Sequence, residues 1–298
     1  MLPSPHAEPE QLDLELLRTW PLPVDPDGDK YSRGTVLVVG GSASTPGAAI
    51  LAGMAALRMG AGKLQIATDP SVAGAIAIAV PESKVIALRD ARGERSLPAG
   101  EIRDAMEQAD CILIGPGMNR DGATTAVVLA ALESATDSGV VVVDAAAIAS
   151  LREIEPSFRE RLRGRLVLTP NHQELDDLLQ DRGNAADTSH DETTKQAMRA
   201  ADEFGAVVVS FGIVCTCTGQ RWQMAAGHPA LGTSGSGDVR AGLVAGTAAR
   251  SGDAAQAACW GTLVHALAGQ RLGQRHGQLG FLAREIIGEI ASVISSPA

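Results

Sequence analysis

The sequence predicts an α/β fold with a mainly parallel central sheet and helices on both faces, and three observations lead there. From Thr35 onward, short apolar runs alternate with helical stretches. The runs are Thr35–Val39, Leu64–Ala67, Val85–Leu88, Cys111–Ile114, Val140–Val143, Leu166–Leu168 and Ala206–Ser210. They are continuous and rich in β-branched residues, without polar alternation, as expected of parallel strands buried on both faces. Right-handed βαβ connections follow. Third, the 298 residues are 45% hydrophobic but only 3% aromatic, so Ala, Gly, Val and Leu must fill the core, which suits close packing of helix on sheet.

The elements follow in chain order. Residues 1–34 are dense in proline and acids and read as an arm with a short helix around Gln11 to Thr19. Residues 35–298 read as one domain, with no fixed-period repeat and no internal linker. After Ser210 the pattern changes to an antiparallel hairpin, Ile213–Thr218 and Arg221–Ala225, joined at Gly219-Gln220. A Gly-rich loop follows, then three helices near residues 238–250, 254–272 and 281–292.

Charge and composition narrow the function classes. A net charge of −10 argues against nucleic acid or an anionic membrane as main partner. An anionic ligand must then be held by local donors. The longest apolar run, Val72 to Val80, is far too short to cross a bilayer. Met1 to Leu17 lacks the basic start and apolar stretch of a secretory signal, so a cytoplasmic location is expected. Cys111, Cys215, Cys217 and Cys259 are scattered. Cys215 and Cys217 would share one strand face, a weak metal pattern that no further ligand completes, and reduced core thiols are expected.

The segment Gly235-Ser236-Gly237-Asp238 carries the chemistry. Glycines let a ligand approach the main chain, and a helix N-terminus offers unpaired N–H groups to an anion. An acid beside such an anion hole suits phosphoryl transfer, with donors for the charge and a base for the attacking hydroxyl. From the residue pattern alone Asp238 also reads as a helix cap after a flexible loop. Gly237 is expected to exclude any side chain. The other strand ends are each weak signals, but all fall on the edge where open parallel sheets bind ligands. They are Gly40-Gly41-Ser42 with Pro46 at a helix start and Ser44 or Thr45 as cap, then Gly115-Pro116-Gly117. Asp144 suits water-mediated magnesium or a cap, and Thr169-Pro170-Asn171-His172-Gln173-Glu174 suits a capping box. Phe211 reads either as a platform for an adenine ring or as an inward-facing core residue.

As an ordered set these motifs resemble the ribokinase-like superfamily, specifically the ADP/ATP-dependent NAD(P)H-hydrate dehydratase family. The matches are Gly34 to Ser42 with Pro46-Gly47-Ala48-Ala49, Ala61-Gly62-Lys63, Ile114-Gly115-Pro116-Gly117, Val143-Asp144-Ala145, Leu168-Thr169-Pro170 with Glu174, and Gly235 to Val239. The resemblance implies a three-layer fold and nucleotide-dependent dehydration of hydrated NADH or NADPH. It implies Asp238 as the base, also touching substrate, with Ala48, Ala49, Gly117, Asn171 and His172 lining the substrate. Phe211, Gly212, Gly235, Ser236 and Gly237 would hold ADP or ATP, and Asp144 and Glu174 would position Mg²⁺ through water. It further implies a homotetramer that works beside a separate epimerase. The chain departs from the family pattern at four places. Phe211-Gly212 stands for Lys-Gly, Asn171-His172-Gln173-Glu174 for His-Pro-Gly-Glu, Ala146 for the second Asp of Asp-Ala-Asp, and Arg240 for Leu. The alternatives are a small-molecule kinase of the same fold and a non-catalytic nucleotide-binding homologue.

Overall fold

Alternate residues of a single strand feed two different cores. In Thr35–Val39, Leu37 and Val39 join an apolar cluster on one face of the sheet, while Val36 and Val38 join a cluster on the other. The computed structural model describes residues 8–24, 27–88, 100–180, 189–224, 229–277 and 279–295. Ala225, expected in the hairpin, lies outside them.

Among the described residues ten strands form one sheet. They are β1 (Glu10–Gln11), β2 (Thr35–Val39), β3 (Lys63–Thr68), β4 (Ser83–Ala87), β5 (Cys111–Ile114), β6 (Val140–Val143), β7 (Leu166–Leu168), β8 (Ala206–Ser210), β9 (Ile213–Thr216) and β10 (Arg221–Gln223). Their order is β1-β10-β9-β8-β7-β6-β5-β2-β3-β4. Only β9 runs against the others, pairing antiparallel with β8 and β10. The seven expected strands are present within a residue or two. The two-residue β1 is a strand that sequence reading does not find, because its pairing with β10 is settled by tertiary contact. Leu12 and Leu17, beside it, are fully buried in the second core.

Helices cover both faces. The first carries α4 (Glu101–Glu107), α5 (Gly122–Ser134), α6 (Pro156–Glu160), α7 (His172–Leu179) and α8 (His190–Phe204). The second carries α1 (Leu14–Thr19), α2 (Pro46–Arg58), α3 (Ala73–Ala79), α9 (Ser236–Ser251) and α10 (Ala254–His276). On that side α11 (Ala283–Ser295) adds an outer layer. Small residues let α9 lie against α2. A Cβ on Gly242 would come within 2.2 Å of the Ala52 carbonyl oxygen, and one on Gly246 within 2.5 Å of that of Ala56. This close approach places α9 beneath the central strands. The far end of α9 meets the start of β2, where a Cβ on Gly34 would strike the Ala249 carbonyl. Its N-terminus therefore lies at the carboxyl edge of the sheet.

Cys215 is buried in β9, whereas Cys217 lies beyond the strand's end, and all four cysteines are free thiols. Among the described residues no helix is long and apolar enough to cross a membrane.

Candidate functional site at the carboxyl edge

Strand order reverses between β2 and β5, and the crevice at such a switch point is where open α/β sheets take ligands. Two loops are zipped together there. The Gly41 and Ser42 N–H groups donate to the Pro116 and Gly117 carbonyls, both at 2.8 Å. The Thr45 hydroxyl donates to the Gly117 carbonyl at 2.9 Å, so Thr45 does not cap α2 through its side chain. Gly117 has φ 67°, and a Cβ there would lie 2.3 Å from the Thr45 oxygen and 2.9 Å from Ala48 Cβ. Ala48 is half-buried at this junction. Ala49 is fully buried, packed in the core beside the Gly41 turn.

The start of α9 has an unusual form. Gly235, at φ 85°, is the N-cap, and no side chain caps the helix. Ser236, at the first helical position, is buried, and its hydroxyl is paired with His265 Nε2 at 2.9 Å. Burial, with the Arg240 charge adding, pushes the His265 pKa down to about 3, so the imidazole is neutral. Gly237 follows, then Asp238 in the third position. Asp238 is therefore not the cap that its position in the sequence suggested. Gly237 is exposed, and a Cβ there would meet nothing within 4 Å, so the fold by itself leaves room for a side chain.

Three carboxylates converge on this edge. Asp144, at the end of β6, is buried and makes no cap bond to the 3-10 helix Ala145–Arg152 that follows. It accepts the Thr169 hydroxyl at 2.5 Å instead. Burial, helped by the Asp238 and Glu174 charges, pushes its pKa up to about 7 against the opposing Thr169 bond and Arg240 charge. Asp238 is pushed up to about 6 by burial and then by Glu174. Glu174 forms the expected capping box: Asn171 Oδ1 accepts the Glu174 N–H, and Glu174 Oε2 accepts the Asn171 N–H, both at 2.9 Å. Arg240 reaches in from α9 and donates through Nη2 to the Thr169 carbonyl at 3.1 Å. Among the described residues no group of three or more His, Cys, Asp or Glu could hold a metal ion.

Phe211 closes the site at the end of β8. It is 47% exposed with φ 46°, a strained angle for an aromatic residue, so it does not point into the core. Its ring stacks on His172, with centroids 3.7 Å apart and planes at 13°. Partial burial lowers the His172 pKa against the nearby Asp176 charge. Gly212, at φ 80°, continues the turn. Ser210 anchors it by donating its hydroxyl to the Pro170 carbonyl at 3.0 Å. The structure thus gathers Gly117, Ala48, Asp144, Asn171, His172, Glu174, Phe211, Gly212 and Gly235 to Asp238 along one edge. Sequence reading did not single out Thr169 as a partner of Asp144, or His265 at all. Their partners come from distant segments.

The family model described as NAD(P)H-hydrate dehydratase matches residues 36–292, nearly the whole chain. The chain belongs to the NAD(P)H-hydrate dehydratase family. The ADP-dependent (S)-NAD(P)H-hydrate dehydratase of Xanthomonas campestris pv. campestris is 44% identical over 93% of this chain and 93% of its own length. The chain also matches bifunctional NAD(P)H-hydrate repair enzymes, of whose length it spans about half (53% in one case). Solved structures give the fold. A ribokinase-like superfamily protein from Enterococcus faecalis superposes with TM-score 0.80 at 22% identity, covering 96% of this chain and 95% of its own. The ADP/ATP-dependent NAD(P)H-hydrate dehydratase of Bacillus subtilis, co-crystallized with ATP/Mg²⁺, has TM-score 0.77 at 24% identity, with 95% and 97% covered. In this member of the NAD(P)H-hydrate dehydratase family, the matched region contains every residue gathered at the edge.

Proposed function

We propose that the protein is a nucleotide-dependent dehydratase that restores NADH or NADPH from the (S)-hydrated forms, using Asp238 as general base. The observation that carries this reading is the N-terminus of α9, which no side chain caps, with a carboxylate of raised pKa in its first turn that the helix does not use. A base poised near neutral pH is suited to taking a hydroxyl proton. The relative at 44% identity, named for this activity, supports the same substrate class.

In the proposed reaction the hydroxyl oxygen of the hydrate attacks the terminal phosphorus of ADP or ATP. A new P–O bond forms as the old one breaks, releasing AMP or ADP, and the hydroxyl proton passes to Asp238. The C–O bond then breaks with phosphate as the leaving group, pushed by the lone pair of the ring nitrogen. Loss of a ring proton restores the dihydronicotinamide. Backbone N–H groups of Gly235 to Gly237 hold the transferring phosphoryl, where preorganised donors stabilise developing charge. The nucleotide extends toward Phe211 and Gly212. Ala48, Gly117, Asn171 and His172 line the hydrate. Asp144 and Glu174 would hold magnesium through water, and the ion would supply charge neutralisation at the nucleotide phosphates.

The test is to mix purified protein with hydrated NADH, Mg²⁺ and either ADP or ATP, and to follow recovery of the near-ultraviolet band of NADH. Recovery that requires nucleotide is the expected outcome. A stable phosphorylated product would point instead to a kinase of the same fold. Nucleotide binding without any turnover would point to a binding protein.

A further inference from the structure

The long helix α10 buries mostly small and apolar residues, and among its described residues the buried polar ones are Gln256, Thr262 and His265. Gln256 ties the N-terminal arm down, since its Nε2 donates to the Trp20 and Pro21 carbonyls. His265 has no part in that contact, and burying an imidazole costs free energy that a leucine of similar size would not. Its place on the helix gives it a task. Gly261, His265 and Gly269 follow one another one turn apart, so they form a single stripe of α10. Both glycines are points of close approach. A Cβ on Gly261 would lie 2.6 Å from Val244 Cγ2 and 2.8 Å from the Val244 nitrogen, within α9. A Cβ on Gly269 would lie 2.5 Å from Leu231 Cδ2, in the 3-10 turn Pro229–Leu231 that leads into the Gly-rich loop. The stripe therefore grips the chain both before and after that loop. Between the two contacts, His265 Nε2 is hydrogen-bonded to the Ser236 hydroxyl at 2.9 Å, at the first helical position of α9. Ser236 is buried as well, so the bond is shielded from water. The Ser236 N–H is bonded to the Thr233 carbonyl, and no side chain caps the Gly237 and Asp238 donors that follow. A helix end left open in this way frays unless something else fixes its first turn.

We propose that His265 is a positioning residue for the phosphoryl site. Through Ser236 it holds the first turn of α9 in one arrangement, so that the Gly237 and Asp238 N–H groups and the Asp238 carboxylate meet the transferring phosphoryl already aligned. Donors fixed before the reaction stabilise developing charge without reorganising. His265 acts through the Ser236 hydroxyl and not on the reacting atoms. The inference deepens the reading of the Asp238 loop as the phosphoryl site and rests on it.

The test compares full-length wild type with His265→Leu, His265→Gln, Ser236→Ala and the double variant His265→Leu/Ser236→Ala. It reads kcat and KM for ADP in NADH recovery, and the shifts that ADP induces in the Gly237 and Asp238 amide resonances. His265→Leu should lower kcat by at least about tenfold with KM for ADP little changed, since misplacement by about 1 Å can cost about 10²-fold in rate. Its Gly237 and Asp238 amides should lose their response to ADP, while the Phe211 amide keeps its own. His265→Gln offers an amide donor and acceptor near the Nε2 position, whichever tautomer the imidazole takes, and should restore both readouts. Ser236→Ala should match His265→Leu, and the double variant should be no worse than either, because all three cut the same bond. A His265→Leu protein with wild-type kcat and amide shifts overturns the proposal. So does a glutamine variant as impaired as the leucine one, or a double variant whose losses add. Should His265→Leu not fold, Ser236→Ala reads the same bond from its other end. Wild-type Gly237 and Asp238 amides that ignore ADP break the underlying site reading and this proposal with it. Amides that respond equally in wild type and His265→Leu break the assignment of His265 alone, and they decide it even in the absence of turnover.

Discussion

Two helices begin at the carboxyl edge of the sheet with an acid in their third position, and they use it in opposite ways. In α7 the N-cap is Asn171 and the acid is Glu174, and the two close a reciprocal capping box. In α9 the N-cap is Gly235, which has no side chain, Ser236 is spent on His265, and Asp238 makes no cap bond. The first helix satisfies its own terminal donors. In the second the Ser236 N–H is bonded to the Thr233 carbonyl, and no side chain caps the Gly237 and Asp238 donors that follow, which suits an anion. The difference separates a carboxylate that stabilises a fold from one available to a reaction. It stems from a single choice, glycine against asparagine, at the N-cap.

The comparison breaks most visibly at Asp238. Asp238→Asn keeps the shape and the hydrogen-bonding capacity but cannot accept a proton, and should lower the rate of NADH recovery by roughly 10²–10⁴ while ADP still binds. Turnover near that of wild type would leave Asp238 without a role in proton transfer. Gly237 gives the next largest effect. The free fold has open space around this residue. Gly237→Val should therefore fold with an unchanged melting temperature in the absence of nucleotide, yet lose the stabilisation conferred by ADP. A normal ADP-induced shift in that variant would remove the loop from the nucleotide site.

A smaller effect is expected at Phe211, whose exposed ring offers a stacking surface beside His172. Stacking on a base contributes roughly 1–3 kcal/mol where measured in nucleic-acid complexes. Phe211→Ala should weaken AMP and ADP alike by calorimetry, and wild type should bind the two within about tenfold of each other, since a ring does not count phosphates. Wild type preferring ADP by orders of magnitude would leave the ring without this role.

The smallest effect sharpens the comparison itself. Glu174 helps to raise the Asp238 pKa to about 6. Because the base must be ionised, kcat/KM should climb as pH rises through about 6 and level off above it. Glu174→Gln keeps a side chain able to complete the capping box. Removing the charge should move the midpoint of that climb to lower pH. The linkage has a matching sign: a carboxyl whose pKa rises on folding from 3.8 to about 6 makes stability decline with pH across that window. The decline should be shallower in Glu174→Gln. An unmoved pH profile would show that the two acids do not feel one another.

Much of the fold was legible because its strands are continuous β-branched runs, as in Val140–Val143 and Ala206–Ser210, which only a helix-covered parallel sheet buries. The strand Glu10–Gln11 was not, since two polar residues carry no periodic signal and pair only because Leu12 and Trp222 are buried nearby. The site was legible as a set of strand-end motifs, but the role of each residue was not. Whether Asp238 caps its helix depends on which residue is the N-cap, and that depends on the positive φ of Gly235. Ala48 and Ala49 differ only in the direction that one helical step gives them. Phe211 follows three valines and a serine, a context suggesting burial, but its left-handed backbone turns it outward. The pairs Thr169–Asp144 and Ser236–His265 join segments far apart in sequence, where no local pattern links them.

The account stands most directly on the backbone amides of the two helix starts. Titrating ADP into isotope-labelled protein while following amide resonances reads both termini in one experiment. The N–H signals of Gly237 and Asp238 should shift on binding, while that of Glu174, already bonded to Asn171, should stay in place. A Glu174 amide that moves while the α9 amides remain still would contradict the account.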